Sequence, residues 1–200
     1  IYPADDLPRL DLSNIDVLVL PEGRYRIDER TAERLTSWIR GGGRLIAIAS
    51  AVRSLEGVDG FGIRRKRNGA NGDDSAADGY GSAERRNISD IIAGAVFRVD
   101  VDRSHPLAFG LDDHYFSLKT NELSYAPLDD GWNVGTLGDE LLIAGFAGYR
   151  AQEQVKGTLV FGVENMGRGS VVYLIDNPLY RAFWETGKFL FGNAVFMEGR

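Results

Sequence analysis

The chain has 200 residues, no cysteine and a net charge of −6, with 44% of its residues hydrophobic, enough for one large domain with a buried core. Without cysteine there is no disulfide, no thiolate metal site and no cysteine nucleophile. The acidic charge is spread along the chain and points away from nucleic acid or an anionic membrane surface as partner, and no apolar run approaches the roughly 20 residues that cross a bilayer.

The chain opens at Ile1-Tyr2-Pro3 without an initiating Met, which suggests a piece of something longer. The first strand signal is Ile15 to Leu20, a β-branched apolar run closed by Pro21-Glu22-Gly23, as in a buried parallel strand ending at a loop. Asp28 is placed to cap a helix carrying Ala32, Leu35, Trp38 and Ile39 at helical spacing, which stops at Gly41-Gly42-Gly43. Leu45 to Ala49 reads as a second buried strand, and the β-helix-β unit implies a parallel sheet with helices on its faces.

From Arg64 to Ser89 the composition turns to Gly, Asn, Asp, Ser and Arg, and residues 64–89 read as a mobile surface insertion. The basic run Arg64-Arg65-Lys66-Arg67 falls in it and reads as a solvated loop. After it, Ala95 to Val101 alternates with period two, and shorter strand signals follow at 122–126, 132–137, 141–147 and 158–163, a partly antiparallel addition to the parallel core. Ser170 to Ile175 reads as a strand, and Asp176-Asn177-Pro178 as the opening of a helix to about Met197 that packs through Phe183, Leu190, Ala194 and Val195. The aromatics Tyr149, Tyr180, Phe183 and Trp184 read mainly as core packing.

The order strand, Pro-Glu-Gly, helix, triple glycine, strand, carried by DVLVLPEG and LTSWIRGGGRLIAIAS, resembles the class I glutamine amidotransferase-like superfamily. GAVFRVDVDRSHPLAFGL, GWNVGTLG, LLIAGFAGY and LYRAFWETGKFLFGNAVF resemble the domain that follows the peptidase domain in bacterial zinc carboxypeptidase-like proteins. The resemblance implies one α/β domain over 1–200, a flavodoxin-like three-layer fold with a mostly parallel sheet flanked by helices and the antiparallel addition. It also implies an N-terminal peptidase domain of the same chain as partner, zinc held only in that absent domain, and a periplasmic or extracellular setting.

A working amidotransferase needs a cysteine on the sharp turn after the second strand and a His-Glu pair at the end of a late strand. Here those positions read Ile48-Ala49-Ser50 and Ile175-Asp176-Asn177, so neither nucleophile nor base is present. Ser50 remains a candidate nucleophile if His105 or His114 reaches it, although its G-x-S-x-G setting is missing and serine also favours turns. Neither histidine is followed by the H-x-x-E spacing of a peptidase zinc site. Gly41-Gly42-Gly43 and Gly167-Arg168-Gly169 do not lead into a helix N-terminus and read as turns, not phosphate cradles.

Three functions are therefore expected in order: a noncatalytic accessory domain that stabilises or positions a peptidase domain or its substrate; a small-molecule or carbohydrate binding module; and a diverged hydrolase using Ser50. The possible binding crevice lies at the carboxyl ends of the parallel strands, where Glu22, Tyr25, Ser50, Arg53 and Asp176 fall. If the accessory reading is right, an apolar face should stand bare on the isolated chain.

Overall fold

The computed structural model describes residues 1–66 and 88–197; residues 67–87 of the expected 64–89 insertion lie outside them. Residues 64–66 belong to the body of the domain, since Ala126 N–H donates to Arg64 O at 2.9 Å and Lys66 N–H to Ser124 O at 3.0 Å.

The elements in chain order are β1 (Val17–Leu20), α1 (Glu29–Arg40), β2 (Arg44–Ile48), β3 (Ile92–Val101), β4 (His114–Lys119), β5 (Trp132–Ala147), α2 (Tyr149–Val155), β6 (Leu159–Met166), β7 (Gly169–Leu174) and α3 (Glu185–Phe196). They form one seven-stranded sheet in the order β1-β2-β7-β6-β5-β3-β4. β1, β2 and β7 run parallel; the other four pairings are antiparallel. The parallel core and the antiparallel addition are thus both present, with the addition larger than the mostly parallel sheet that the repeated strand-helix signal suggested. The reason is local: β6 and β7 join by a hairpin across Met166↔Gly169, and β3, β4 and β5 also pair without parallel crossovers.

Helices lie on both faces. Alternation along β2 and β7 sends Ile46, Ile48, Val172 and Leu174 to one face, where Ala151 and Val155 of α2 and Leu190 and Ala194 of α3 meet them. Leu45, Ala47, Val171 and Tyr173 face the other side, against Leu35 and Ile39 of α1. α1 begins as the sequence predicts, with Thr31 N–H donating to Asp28 Oδ1 at 2.9 Å. The two glycine turns at the start of β2 and β7 dock on each other: Ser170 N–H reaches Gly43 O at 3.3 Å, and a Cβ on Gly169 would lie 2.1 Å from that same oxygen. Only glycine permits so close an approach.

Several expectations are corrected. The signals at 132–137 and 141–147 are a single 16-residue strand, β5, bent by register shifts against β3 and β6. Residues 122–126 make only isolated bridges, from Tyr125 to Arg65 and to Leu159, because Asn121 turns the chain by accepting from Leu123 N–H at 2.9 Å. The last helix starts at Glu185 and not at Pro178, since Arg181 and Ala182 adopt left-handed φ of 49° and 57° that a right-handed helix cannot continue. This turn leaves Phe183 55% exposed instead of packed. Tyr149, the first residue of α2, is exposed as well.

The sheet is curled. Tyr115 of terminal strand β4 packs edge-on against Phe161 of β6, with ring centroids 5.6 Å apart, although β5 and β3 stand between those strands in the sheet order. Trp184, just ahead of α3, fastens the outer edge of β4 by donating Nε1–H to Phe116 O at 2.7 Å, which shields part of an otherwise unpaired strand edge.

Candidate functional site

The carboxyl ends of β1, β2 and β7 meet where a parallel sheet ordinarily offers a binding crevice. The chain leaves β2 through a sharp turn: Ile48 is extended, Ala49 has φ 51°, and a short 3-10 stretch, Ala49–Ser54, follows. A left-handed residue other than glycine is strained, and such strain collects at functional turns. The residue in that conformation is Ala49, 3% exposed, whose methyl group supplies no nucleophile. Ser50 is next to it, half-buried, and its hydroxyl donates to Gly23 O at 3.2 Å.

The loop after β1 folds over this end and occupies much of its polar surface. Tyr25 N–H donates to Ser54 Oγ at 3.1 Å and its phenol to Pro21 O at 2.9 Å, while burial pushes that phenol above its ordinary ionisation range. Asn177 donates to Glu22 Oε2 at 3.0 Å, joining the ends of β1 and β7. Arg53 is exposed on the rim. Glu22, Tyr25, Ser50 and Arg53 are thus brought to one end of the sheet, and the side chains of the first three are hydrogen-bonded to the surrounding chain.

Asp176 lies deeper than the crevice reading implied. It is 7% exposed and turned inward, where Oδ2 accepts from Ser117 Oγ at 2.8 Å and Oδ1 from Lys119 Nζ at 3.0 Å. Lys119 is equally enclosed, at 2%. Ser117 and Lys119 lie on β4, so this ion pair ties the terminal strand to the end of β7 and closes the curl. Burial and the Asp176 carboxylate both hold the neighbouring Tyr115 phenol far above its usual range. This buried polar network is the functional-looking feature that the sequence did not reveal.

The histidines lie elsewhere. His105 lies beyond the end of β3 and lines the same groove as Gly43 and Gly169 at the starts of β2 and β7. His114 opens β4, the strand at the opposite edge of the sheet from β1. Five strand spacings of about 4.8 Å separate β4 from β2 along the sheet, and the Ser50 hydroxyl has Gly23 O, not an imidazole, as its partner. His105 caps the turn Pro106–Ala108, its Nδ1 accepting from Leu107 N–H at 3.2 Å, and His114 is exposed beside Asp113 at 3.4 Å. Among the described residues no three His, Asp or Glu side chains are grouped to hold a metal ion.

The groove at the starts of β2 and β7 is wide and open, lined by His105, Trp132, Trp38, Arg34 and Arg168 among others. Three of its large polar side chains are spent on the fold: Trp38 donates to Ile15 O at 2.8 Å, Arg168 to Gly41 O at 2.6 Å, and Arg34 to the Pro8 and Leu10 carbonyls. Its size reflects loops splayed around the strand ends rather than convergent chemistry.

Near Arg53, Tyr125 is fully buried. Burial pushes its phenol from 10.0 up to about 12, with the Glu56 carboxylate acting in the same sense and Arg65 and Arg53 opposing. A phenol harder to ionise in the folded chain than in the unfolded one supports the fold fully below pH 10.0, and that support is lost as pH rises toward 12. Tyr125→Phe is expected to fold normally at neutral pH and to lose less stability than the parent across that alkaline window in urea titrations; parallel pH profiles would contradict this assignment.

No family model matches the sequence and no curated protein resembles it. Solved structures do match the fold. A β-galactosidase from Bacillus circulans sp. alkalophilus superposes with a TM-score of 0.56 at 13% identity, over 96% of this chain and 24% of the other. A putative GMP synthase component from Thermoplasma acidophilum gives 0.56 at 13% identity, over 97% and 77%. A putative ThuA-like protein from Bacteroides uniformis gives 0.51 at 10% identity, over 95% and 73%. The chain therefore spans about a quarter of the β-galactosidase and about three quarters of the other two. The last two have glutamine amidotransferase-like folds, and a mixed α/β sheet flanked by helices of that kind is the fold of this chain.

Proposed function

We propose that this chain is a noncatalytic accessory domain of a longer enzyme, with a zinc carboxypeptidase-like domain preceding it as the resemblance implies. The observation that supports the noncatalytic part is the turn after β2. Its strained position holds Ala49, the adjacent Ser50 hydroxyl is given to Gly23 O, and neither histidine is a partner of that hydroxyl. A serine without a base within hydrogen-bond reach is a weak nucleophile. The β-galactosidase match supports the accessory part, because there the same fold accounts for only a quarter of a larger chain.

On this reading the domain contributes surface and stability, while zinc and water activation belong to the peptidase domain. The test is a fluorophosphonate probe on the purified chain, alongside Ser50→Ala. The parent is expected to stay unlabelled and to hydrolyse neither glutamine nor simple amides; labelling that disappears in Ser50→Ala would establish the hydrolase alternative instead. The carboxypeptidase part is checked separately by reading the gene upstream of Ile1. An H-x-x-E peptidase domain is expected there, and a gene without one would remove that part alone.

A further inference from the structure

Helix α3 is apolar on two sides. Its inner side buries Gly187, Leu190 and Ala194, yet Phe189 and Phe196 stand on the other side, 63% and 84% exposed. Seven residues apart, they share a face two turns, about 10 Å, from one another. Gly192 lies between them, and a Cβ there would meet nothing within 4 Å. The domain's own packing thus gives no reason for a mid-helix glycine that costs about 1 kcal/mol relative to alanine. Asn193 donates to Leu107 O at 3.0 Å and Phe109 O at 2.7 Å, which holds the 66% exposed Phe109 beside the same helix; Met197, 44% exposed, follows its last turn. A helix that is hydrophobic all round is one that is covered all round.

We infer that this face is a homodimer interface, with α3 crossing the α3 of a second copy antiparallel over Gly192. Three observations favour a second copy. The first is area: at roughly 200 Å² for a fully exposed aromatic side chain, these four residues present about 500 Å². Two copies would then bury about 1,000 Å², where specific interfaces begin. The second is shape, because a two-fold contact sets a patch against itself, and the bare backbone at Gly192 gives the facing helix its point of closest approach between two rings. The third is charge. Glu185 and Lys188, paired at 2.6 Å, are confined to the start of the helix, so antiparallel packing keeps the two copies' ion pairs at opposite ends of the contact and leaves its middle apolar. Parallel packing would set like charges together.

The inference does not rest on the noncatalytic reading. Its test is sedimentation equilibrium of the 200-residue chain over about 1 to 200 µM, the range in which an interface of this size associates. The mass is expected to rise from 22.0 kDa toward twice that value, and Phe196→Glu and Gly192→Leu are each expected to remain monomeric with unchanged circular dichroism. Leucine at 192 has room in its own chain, so that variant carries the test if Phe196→Glu disturbs folding. A parent that stays monomeric throughout would overturn the proposal and leave the face to another domain. A dimer that survives both substitutions would overturn it too.

Discussion

Replacing Lys119 with alanine is expected to destabilise the domain by about 3–5 kcal/mol, as removing one member of a buried ion pair does. Lys119 and Asp176 have side chains 3% and 5% exposed and approach to 3.0 Å. Among the described residues their desolvation is offset by each other and by the Ser117 hydroxyl, which reaches Asp176 at 2.8 Å. Without the ammonium, a carboxylate is left enclosed with one hydroxyl donor. The damage should also be local, because the pair is what pins terminal strand β4 to the end of β7. Hydrogen exchange of the β4 amides is expected to quicken more than that of β2, whose partners β1 and β7 are untouched. Lys119→Met combined with Asp176→Leu should recover most of the loss, since an apolar pair of similar volume carries no buried charge. A urea midpoint for Lys119→Ala consistent with less than about 1 kcal/mol, the cost of a surface pair, would show that the network contributes nothing to closure.

That same strand explains where the sequence stopped being informative. β1, α1, β2 and β7 were legible because each local preference agrees with its place: β-branched runs lie in the parallel core, Asp28 caps, and glycines turn the chain. In β4 the pattern is inverted. Tyr115, Ser117 and Lys119 point inward while Phe116 points out, so a search for alternating apolar residues passes over it. A lysine in a core becomes intelligible only when its carboxylate is found, and Asp176 is 57 positions away, reached through the curl of the sheet. The start of α3 was missed for a backbone reason, the left-handed pair Arg181 and Ala182, which no apolar spacing encodes. At the crevice, the absence of cysteine and of a late histidine was readable, and that neither histidine partners Ser50 was not, since it depends on how strands and loops are laid out in space.

The second large effect is expected at Phe161, where Phe161→Ala should cost about 3–5 kcal/mol. Its ring is 1% exposed and is held from two directions. On one side β5 offers Gly135, and a Cβ there would fall 2.3 Å from the ring, so the glycine makes the space that the ring fills. On the other, Tyr115 meets it edge-on at 88°, a geometry that adds about 0.5–1.5 kcal/mol beyond burial. Truncation therefore empties a volume that β5 cannot refill, since its nearest residue has no side chain, and it removes the surface on which β4 rests. For a chain of this length the loss corresponds to a fall in Tm of about 10 °C, measurable by calorimetry. Phe161→Leu restores much of the volume without the edge contact and should fall between the two. Because Phe161 and Lys119 both hold β4 in place, combining Phe161→Ala with Lys119→Ala is expected to cost less than the two losses added, as for residues that share a partner. Strict additivity would mean that the ring and the ion pair support separate parts of the domain and that the curl is not one cooperative closure.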